Sequence, residues 1–368
     1  MISDALLALV RCPECRGGLT RQPGVLSCDA CGRDYVQTTG GYLDLRPAAA
    51  FAETTMYVDE ALHADARHES VSPPLMSAAI RQGMLRRFLD IGPGDRVVDL
   101  GCGSGRVLAW NANAGAHLVG VDVSPFFAAQ ARASIDLTLA DLRRLPFADG
   151  TFTKGYCLDV LEHLSRDSLR DMLAEAARVI EPGGGLFVYS HVRKNAWVAI
   201  GLRGINALAR SLERVGLIDM SQERLRKSDH LNPLSDIPDL RRVAGDAGFE
   251  IERIRYYTPL VGGFLENIVV RVAERFLAKR AARSLADAAA TDESASGSGP
   301  DEGHVAAIRA ARTRAKDAVA RRGPVYVVLR AFTALMWLDV WLFGRIESGP
   351  FFVLLTKAPA ERDPAVRP

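Results

Sequence analysis

The sequence has almost no net charge, since 46 lysine and arginine residues stand against 44 aspartate and glutamate residues, a balance of +2. No overall basic field therefore favours nucleic acid as a partner, although a local patch can still bind one. Cysteine is scarce, with six residues in a chain of 368, and four of the six lie between residues 12 and 31. This distribution excludes a disulfide-dense secreted scaffold and favours a metal site.

A secretion signal is also absent from the N-terminal pattern. The short apolar run between Met1 and Val10 has no leading basic residue and no small-residue cleavage site behind it. We therefore expect a cytoplasmic protein. Hydrophobic residues make up 48% of the chain, which is enough for a sizeable core. The length favours about two domains.

Two C-x-x-C pairs, Cys12 with Cys15 and Cys28 with Cys31, are separated by twelve residues. Each pair can form a tight turn that directs two thiolates at one ion, and two such turns close a tetrahedral zinc site with no open position. We expect this zinc to be structural, in place of a core that so short a segment can hardly build. The alternative, a redox C-x-x-C, needs only one pair and a strand–helix context.

From residue 96 onward, short apolar runs alternate with helical stretches. Strands are predicted at 96–100, 117–121, 135–140, 152–158 and 186–190, with helices between them, and strands at 249–257 and 351–356 follow a helix at 239–247. Strands separated by helices indicate a parallel sheet covered on both faces. The predicted fold is α/β, with a doubly wound, mostly parallel Rossmann-like sheet and an antiparallel last strand. A small zinc ribbon precedes it, and it carries a helical insertion.

The strongest motif is the run VVDLGCGSG from residue 97 to residue 105, in which a strand enters a glycine-rich turn. Gly101 and Gly103 fit the dinucleotide pattern G-x-G-x-x-G, but the third position is Arg106 and Gly105 comes one residue early. Asp99 at the strand end would repel a pyrophosphate, whereas it suits a ligand with an amino group and no phosphate. S-adenosylmethionine (SAM), a cationic amino acid joined to adenosine, is such a ligand.

Two more acids come at the ends of the following strands. Asp122 is placed to accept hydrogen bonds from both ribose hydroxyls, by the logic of dinucleotide sites. Asp141 can accept from the adenine amino group, with Leu142 packed on the ring. A lone acid after a strand is often only a helix cap, but three in successive register favour a ligand site.

These motifs, with the runs LPF at 145–147, VLEHL at 160–164 and EPGGG at 181–185, resemble class I SAM-dependent methyltransferases, with quinone-biosynthesis enzymes among the nearest relatives. The cysteine segment, continued by Tyr35 and residues 41–45, resembles the zinc ribbon of some methyltransferases, including bacterial rRNA guanine methyltransferases. The first resemblance covers about residues 85–260 and the strand at 351–356. It implies a cofactor-binding set of Asp99, Gly101, Cys102, Gly103, Gly105, Asp122, Val123, Asp141, Leu142 and Leu158.

Methyl transfer requires an acceptor held in line and, for some acceptors, a base that removes its proton. His163 and Asp159 are candidates near the cofactor, although His163 has the alternative role of shaping its loop. Quinone-pathway O-methyltransferases bind a divalent ion through E-x-x-E-H, and Asp159, Glu162 and His163 match that run with Asp in the first place. Such an ion would lower the pKa of a phenolic acceptor. His191 and His230 fall where family members place acceptor-side groups.

The predicted domain order is a zinc ribbon at 1–47, a linker and helix at 48–90, a SAM-binding core at 91–263, a helical insertion at 264–345, the last strand at 346–359 and a tail at 360–368. The insertion combines basic helices at 264–290 and 305–322, a disordered linker at about 291–304, and the apolar segment Val325–Phe343. Arg330 and Asp339 interrupt that segment and make a spanning helix costly. A core helix, a lid and a membrane-surface helix are the alternatives.

We weigh three functions. The first is a methyltransferase acting on a small-molecule, lipid-like or lipid-linked acceptor, with residues 264–345 resting on the inner face of a membrane as a peripheral contact. The second is an RNA methyltransferase whose ribbon holds rRNA or tRNA through Arg11, Arg16, Arg21 and Arg33; the small net charge opposes it. The third is a non-catalytic module that keeps SAM as a structural ligand, which the undamaged cofactor motifs oppose.

Overall fold

The computed structural model describes residues 2–36, 38, 40–47, 71–193, 197–220, 224, 228–276 and 323–359. The N-terminal elements are α1 (Asp4–Leu9), β1 (Leu19–Gln22), β2 (Val25–Cys28), β3 (Asp34–Val36) and β4 (Leu43–Asp44). The elements that follow are α2 (Met76–Leu89), β5 (Arg96–Leu100), α3 (Arg106–Asn111), β6 (His117–Asp122), α4 (Ala129–Ser134), β7 (Asp136–Leu139), β8 (Phe152–Leu158), α5 (Arg166–Val179), β9 (Ile180–His191), α6 (Ala199–Arg214), α7 (Ile237–Asp246), β10 (Phe249–Tyr256), α8 (Leu260–Phe264), α9 (Pro324–Phe343) and β11 (Pro350–Lys357).

Eight strands form the main sheet in the order β10-β11-β9-β8-β5-β6-β7-β4. The strands from β9 to β4 run parallel to one another, while β11 lies between β9 and β10 and is antiparallel to both. The predicted doubly wound fold with an antiparallel last strand is therefore confirmed. Because the parallel strands end at one edge of the sheet, the loops after β5, β6, β7 and β8 meet there.

The central strands are hydrophobic on both faces. Val97 and Val98 of β5 and Val119 of β6 have no exposed surface, as expected where helices cover both sides of a parallel sheet. Strand β9 is longer than the predicted 186–190, since Ile180 pairs with Phe152 and Gly185 pairs with Lys154 and Thr356. The helix α6 was not predicted, although Leu202, Ile205, Ala209 and Leu212 recur at helical spacing.

The N-terminal unit shares the core of the main domain. Leu6, Val10 and Tyr35 are buried in the same hydrophobic cluster as β5 and β9. The Arg11 N–H donates to the Pro146 carbonyl at 2.8 Å, and β4 pairs with β7 to extend the sheet. The cysteine-bearing segment is thus built into the domain.

The insertion packs on the sheet through α8, a π-helix (Leu265–Val270) that continues it, and α9. Among the described residues, α9 alone has the length and apolar composition that a membrane crossing requires. Its Thr333, Met336 and Asp339 are nevertheless buried in the protein. The predicted linker at 291–304, the basic helix at 305–322 and the part of the 264–290 helix after residue 276 lie outside the described residues.

Candidate cofactor and acceptor site

The glycine loop after β5 depends on backbone conformations that favour glycine. Gly101, Gly103 and Gly105 have φ values of 82°, 53° and 76°. A Cβ on Gly101 would collide with Val160, and a Cβ on Gly105 would come within 2.7 Å of Ala131. At Gly103 a Cβ would meet open space instead. This glycine therefore faces the room where a ligand would lie.

Asp122 ties the glycine loop to the end of β6. Its Oδ2 accepts from the Gly103 N–H at 2.6 Å and its Oδ1 from the Ser124 N–H at 2.9 Å. Each carboxylate oxygen keeps further lone pairs for ribose hydroxyls. Burial raises the pKa of this carboxyl, while the N–H groups of Ser124 and Gly103 oppose the rise.

Asp99 is 2% exposed at the end of β5. Burial raises its pKa well above the ordinary value; the Tyr156 hydroxyl opposes the rise and the Asp122 charge adds to it. Two buried carboxylates beside a glycine loop fit a cationic ligand without phosphate, as SAM is.

The predicted adenine group Asp141 is held by Arg143, whose Nη2 lies 2.8 Å from Oδ2 and whose backbone N–H donates to Oδ1 at 2.9 Å. Leu142 and Val123 are half-buried on either side of this edge. Arg46 donates to the Val123 carbonyl at 3.4 Å and so joins the N-terminal unit to the ribose end of the site. An adenine amino group would therefore donate to a carboxylate of Asp141 that already accepts from Arg143.

Cys102 takes part mainly through its backbone, because its N–H donates to the Val121 carbonyl at 2.9 Å while its side chain is buried. Leu158 is half-buried at the end of β8, and Asp159 follows with a φ of 56°. Arg81 of α2 contacts Asp159, with 3.0 Å between Nη1 and Oδ2. Sequence reasoning missed Arg81, since no local pattern marks a single arginine on a helix before the core.

Arg81 also faces a series of aromatic rings. Its guanidinium carbon lies 5.4 Å from the centre of the Tyr189 ring. Tyr189 contacts Phe352 at 4.8 Å between ring centres, and Phe352 contacts Tyr257 at 5.7 Å. The Tyr257 hydroxyl is buried without a hydrogen-bond partner among the described residues. Phe352 and Tyr257 are 0% and 2% exposed, so they belong to the hydrophobic core, and Tyr189 is the half-buried ring of this series.

The predicted acceptor-side histidines lie together, although they are distant in sequence. The rings of His163 and His230 are 4.7 Å apart between centres, and those of His191 and His230 are 5.4 Å apart. The loop that carries His230 is fixed because the Leu231 and Asn232 N–H groups donate to the Glu162 carbonyl at 2.7 and 3.0 Å.

Glu162 is the buried acid of this cluster, at 3% exposure. Its Oε2 accepts from the Ser190 hydroxyl at 2.8 Å. Burial, with the Asp159 charge adding to it, raises the pKa of Glu162 to about 7. Burial also lowers the pKa of His163, against the opposing effect of the Asp229 carbonyl, so that its neutral, proton-accepting form is favoured.

The hypothesis of a divalent ion at Asp159, Glu162 and His163 meets a different arrangement of donors. Ligand atoms of Glu162, His163 and His230 lie within 4.8 Å of one another. Asp159 is not in that group and pairs with Arg81 instead. The shorter side chain of Asp159 and its contact with Arg81 account for the difference.

The four N-terminal cysteines converge, with their sulfur atoms within 4.8 Å of one another. Cys12 and Cys31 are 3.7 Å apart between sulfurs, and Cys15 and Cys28 are 3.4 Å apart. Zn–S bonds of about 2.3 Å place tetrahedral sulfurs about 3.8 Å apart, so the set fits zinc. The Tyr35 hydroxyl lies 3.1 Å from the Cys12 sulfur and can stabilise its thiolate.

The ribbon arginines that would hold RNA are engaged within the protein. Their partners are the Val10 carbonyl for Arg11, Glu175 for Arg16, Asp4 for Arg21 and Glu14 for Arg33. The carboxylates beside Arg16, Arg21 and Arg33 reduce the local positive charge that would attract a phosphate backbone.

Comparisons with known proteins agree with this geometry. Residues 97–184 match the family model described as a methyltransferase domain. The chain is 25% identical to 24-methylenesterol C-methyltransferase 2 of Oryza sativa over 174 residues, 45% of this chain and 44% of that protein. It is 29% identical to methyltransferase GfsG of Streptomyces halstedii over 191 residues, 47% of this chain and 67% of that protein.

A further relative is a ubiquinone biosynthesis O-methyltransferase of Hahella chejuensis, 32% identical over 111 residues, which are 28% of this chain and 45% of that protein. The chain thus spans about half the length of the curated relatives that it matches. The matched region contains the glycine loop, Asp122, Asp141 and the run from Asp159 to His163.

Proposed function

We propose that this chain, whose residues 97–184 belong to the methyltransferase-domain family, is a class I SAM-dependent enzyme that methylates a small, lipid-like acceptor. The observation that carries the proposal is the pair of buried carboxylates, Asp99 and Asp122, at the glycine loop. Burial raises the pKa of both carboxyls, and a cation beside them would stabilise their ionised forms.

When bound, SAM supplies an electrophilic methyl group on a sulfonium. The protein's part is to hold the ligand and to orient the acceptor in line with the methyl carbon. Asp122 binds the ribose hydroxyls, and Gly103 lets the backbone approach the ligand. His163, neutral because of its burial, takes the acceptor proton, and His191 and His230 stand beside it as alternatives. A charged acceptor atom is thereby avoided in the product.

Two features support a lipid-like acceptor. The half-buried ring of Tyr189 lies beside Arg81, which contacts Asp159 at the end of β8. A sterol and a ubiquinone precursor are the classes of molecule named for two of the relatives. We also propose that the enzyme works in the cytoplasm as a peripheral protein of the membrane's inner face, which it contacts through residues 264–345.

The four cysteines are proposed as ligands of one structural zinc, since a closed set of four thiolates leaves no position for a substrate. The divalent ion predicted at Asp159, Glu162 and His163 stays a prediction. We do not extend the proposal to RNA, because the arginines that would favour it are paired within the protein.

The cofactor part is tested by calorimetric titration of the purified chain with SAM. We expect Asp122→Asn to weaken binding about 10- to 100-fold, the range for loss of one or two charged hydrogen bonds. Asp171→Asn, an exposed aspartate on α5, is the matched control and should bind as the unmodified chain does. Equal affinity of both variants would remove the ribose assignment.

The acceptor part is tested with methyl-labelled SAM and three pools: a lipid extract, soluble metabolites and total RNA. Label entering the lipid extract supports the proposal, and it should be lost in His163→Ala with SAM affinity retained. Label entering only RNA or only soluble metabolites would overturn the lipid-like acceptor, and absence of transfer to all three would argue against the enzyme.

A further inference from the structure

One side of α9 is apolar and open to solvent. Its exposed apolar side chains are Val327, Val328, Leu335, Leu338, Trp341 and Leu342, and the exposed Arg330 lies at one edge of the same side. Trp341 is 78% exposed near the C-terminal end of the helix. The residues recur at helical spacing and cover about 22 Å of the helix at 1.5 Å per residue. Monomeric proteins rarely expose so continuous an apolar face without a partner.

The opposite side of α9 fixes the helix to the protein. Asp339 has no exposed surface and accepts from the Val261 and Gly262 N–H groups at 2.9 and 2.8 Å. Thr333 accepts from the Met76 N–H at 2.8 Å. A bilayer-spanning α9 would have to break these contacts and place the Asp339 carboxyl in hydrocarbon, which is costly. The helix therefore lies along the protein, with one face docked and the other free.

A row of positive charge lies on the neighbouring helix α6. Arg203, Arg210 and Arg214 are exposed and share one side of the helix, because they are spaced by seven and four residues. No ion pair within the described part of the chain engages them. Helix α8 contacts both α6 and α9, through Gly263 against Leu202 and through Gly262 against Met336.

We propose that α9 and α6 together seat this protein on an anionic lipid bilayer. The apolar face of α9 enters the boundary between headgroups and acyl chains, and the α6 arginines contact anionic headgroups. This inference rests on the proposed function, and deepens it by naming the surface from which a lipid-like acceptor is taken. An apolar face with a terminal tryptophan and adjacent arginines is typical of interfacial helices.

The charge row favours a bilayer over a second copy of this chain. In a dimer whose two-fold axis passes beside α9 and α6, residues near the axis approach their own copies. The arginine rows of two α6 helices would then approach each other and repel, whereas anionic headgroups would attract both. The other candidate for contacting the apolar face of α9 is the segment 277–322, which lies outside the described residues.

The surface lies one helix away from the cofactor. Trp337 of α9 packs on Gly83 of α2, where a Cβ would come within 2.6 Å of its ring. From the same helix, Arg81 reaches Asp159 at the end of β8. Helix α2 thus links the α9 surface to Asp159 at the end of β8.

The test is co-sedimentation of the full chain with two kinds of vesicle, pure phosphatidylcholine and phosphatidylcholine with about 30% phosphatidylglycerol. We expect at least tenfold tighter binding to the anionic vesicles, weakened when the ionic strength rises from about 0.1 M to about 0.5 M. Quenching of Trp341 fluorescence by brominated lipid should accompany binding and be reduced in Trp341→Phe.

Two sets of variants separate the apolar and the charged contributions. The double change Leu335→Asp and Leu338→Asp should abolish binding to both vesicles, while Val36→Asp, at an equally apolar and 69% exposed position on β3, should have no effect. Arg203→Glu with Arg210→Glu should weaken anionic binding about 25-fold, at about fivefold for each arginine lost. Arg170→Glu, exposed on α5, is the matched charge control.

Failure to bind either vesicle, or binding that the α9 double change leaves intact, overturns the inference. If the unmodified chain dimerises without binding vesicles, and the Leu335→Asp and Leu338→Asp double change abolishes dimerisation, the apolar face of α9 is an interface with a second copy. Titration of every variant with SAM checks that it is folded, independently of whether it binds vesicles. A chain that binds SAM but no vesicle refutes only the membrane surface, whereas one that binds vesicles but no SAM refutes the proposed function.

Discussion

Arg81 and Asp159 join the first helix of the main domain to the far end of β8, across a distance of 3.0 Å between Nη1 and Oδ2. The two residues are 78 positions apart in the chain. Their pairing holds Asp159 in a left-handed conformation, with φ of 56°, at the edge where cofactor and acceptor would meet.

Removal of this pair should affect binding more than folding. The side chains are 27% and 46% exposed, so their interaction is weak, and we expect Arg81→Gln to reduce SAM affinity about two- to fivefold with little change in melting temperature. Isothermal titration measures the first quantity and differential scanning fluorimetry the second. Arg86→Gln, exposed on the same helix, is the control. A loss beyond about 100-fold would assign Arg81 a direct ligand contact.

SAM affinity should rise with pH. Burial raises the pKa of both Asp99 and Asp122 in the free protein, and a cationic ligand favours their ionised forms. Binding therefore releases protons at pH values near or below the raised pKa values, and the affinity levels off above them. Titrations in two buffers of different ionisation enthalpy count the protons released. The affinity for S-adenosylhomocysteine, which lacks the sulfonium charge, should depend less on pH. If its pH dependence equalled that of SAM, the sulfonium charge would not be its cause.

The stability of the free protein should fall as pH rises through the range in which Glu162 ionises. Its pKa is raised from 4.5 to about 7, so the folded state holds this proton longer than the unfolded state does. The free energy of unfolding thus decreases between about pH 4.5 and pH 7, and this contribution is constant above. Urea unfolding measured across that range should show that the free energy of unfolding of Glu162→Gln changes less with pH than that of the unmodified chain. An unchanged slope would assign the pH dependence to other groups.

Zinc removal should destabilise the whole chain. The cysteine segment shares its hydrophobic cluster with the main domain, so we expect one zinc per chain by elemental analysis and a lower melting temperature after chelation. Cys28→Ser should reduce the zinc content, whereas Cys157→Ala, which removes a buried thiol of the main core, should keep it. Full zinc content in Cys28→Ser would exclude the four-cysteine site.

Asp339→Ala tests how α9 is held. The change leaves two N–H groups without their acceptor and should lower the free energy of unfolding by about 1 to 3 kcal/mol. Arg330→Ala, exposed on the same helix, should change it by less than about 0.5 kcal/mol. The measurement is urea unfolding of the two variants without lipid. If Asp339→Ala were as stable as Arg330→Ala, the docked position of α9 would be wrong.

Local pattern was sufficient for much of the fold. The strands β5 to β8 follow from short buried runs, and the glycine turn, with φ values that only glycine adopts easily, is visible in the spacing alone. The four cysteines are likewise close in sequence. Each of these signals lies within about thirty residues, the range over which periodicity and turn chemistry are informative.

The missing parts depend on pairing between distant segments. His230 reaches His163 only because the Glu162 carbonyl accepts from residues 231 and 232, and no pattern in either segment contains that register. The same holds for Arg81 and for β4, a two-residue strand whose identity is defined by β7. Helix α6 is a different case, because its apolar residues do recur at helical spacing and the sequence contained the signal.

The position of β11 has a consequence for synthesis on the ribosome. It separates β9 from β10, yet 93 residues (257–349) stand between β10 and its partner in the chain. At about 5 to 20 residues per second, roughly 5 to 20 s pass between the emergence of the two strands. During that interval β9 has an open hydrogen-bonding edge, which can pair with another chain until residue 357 is available.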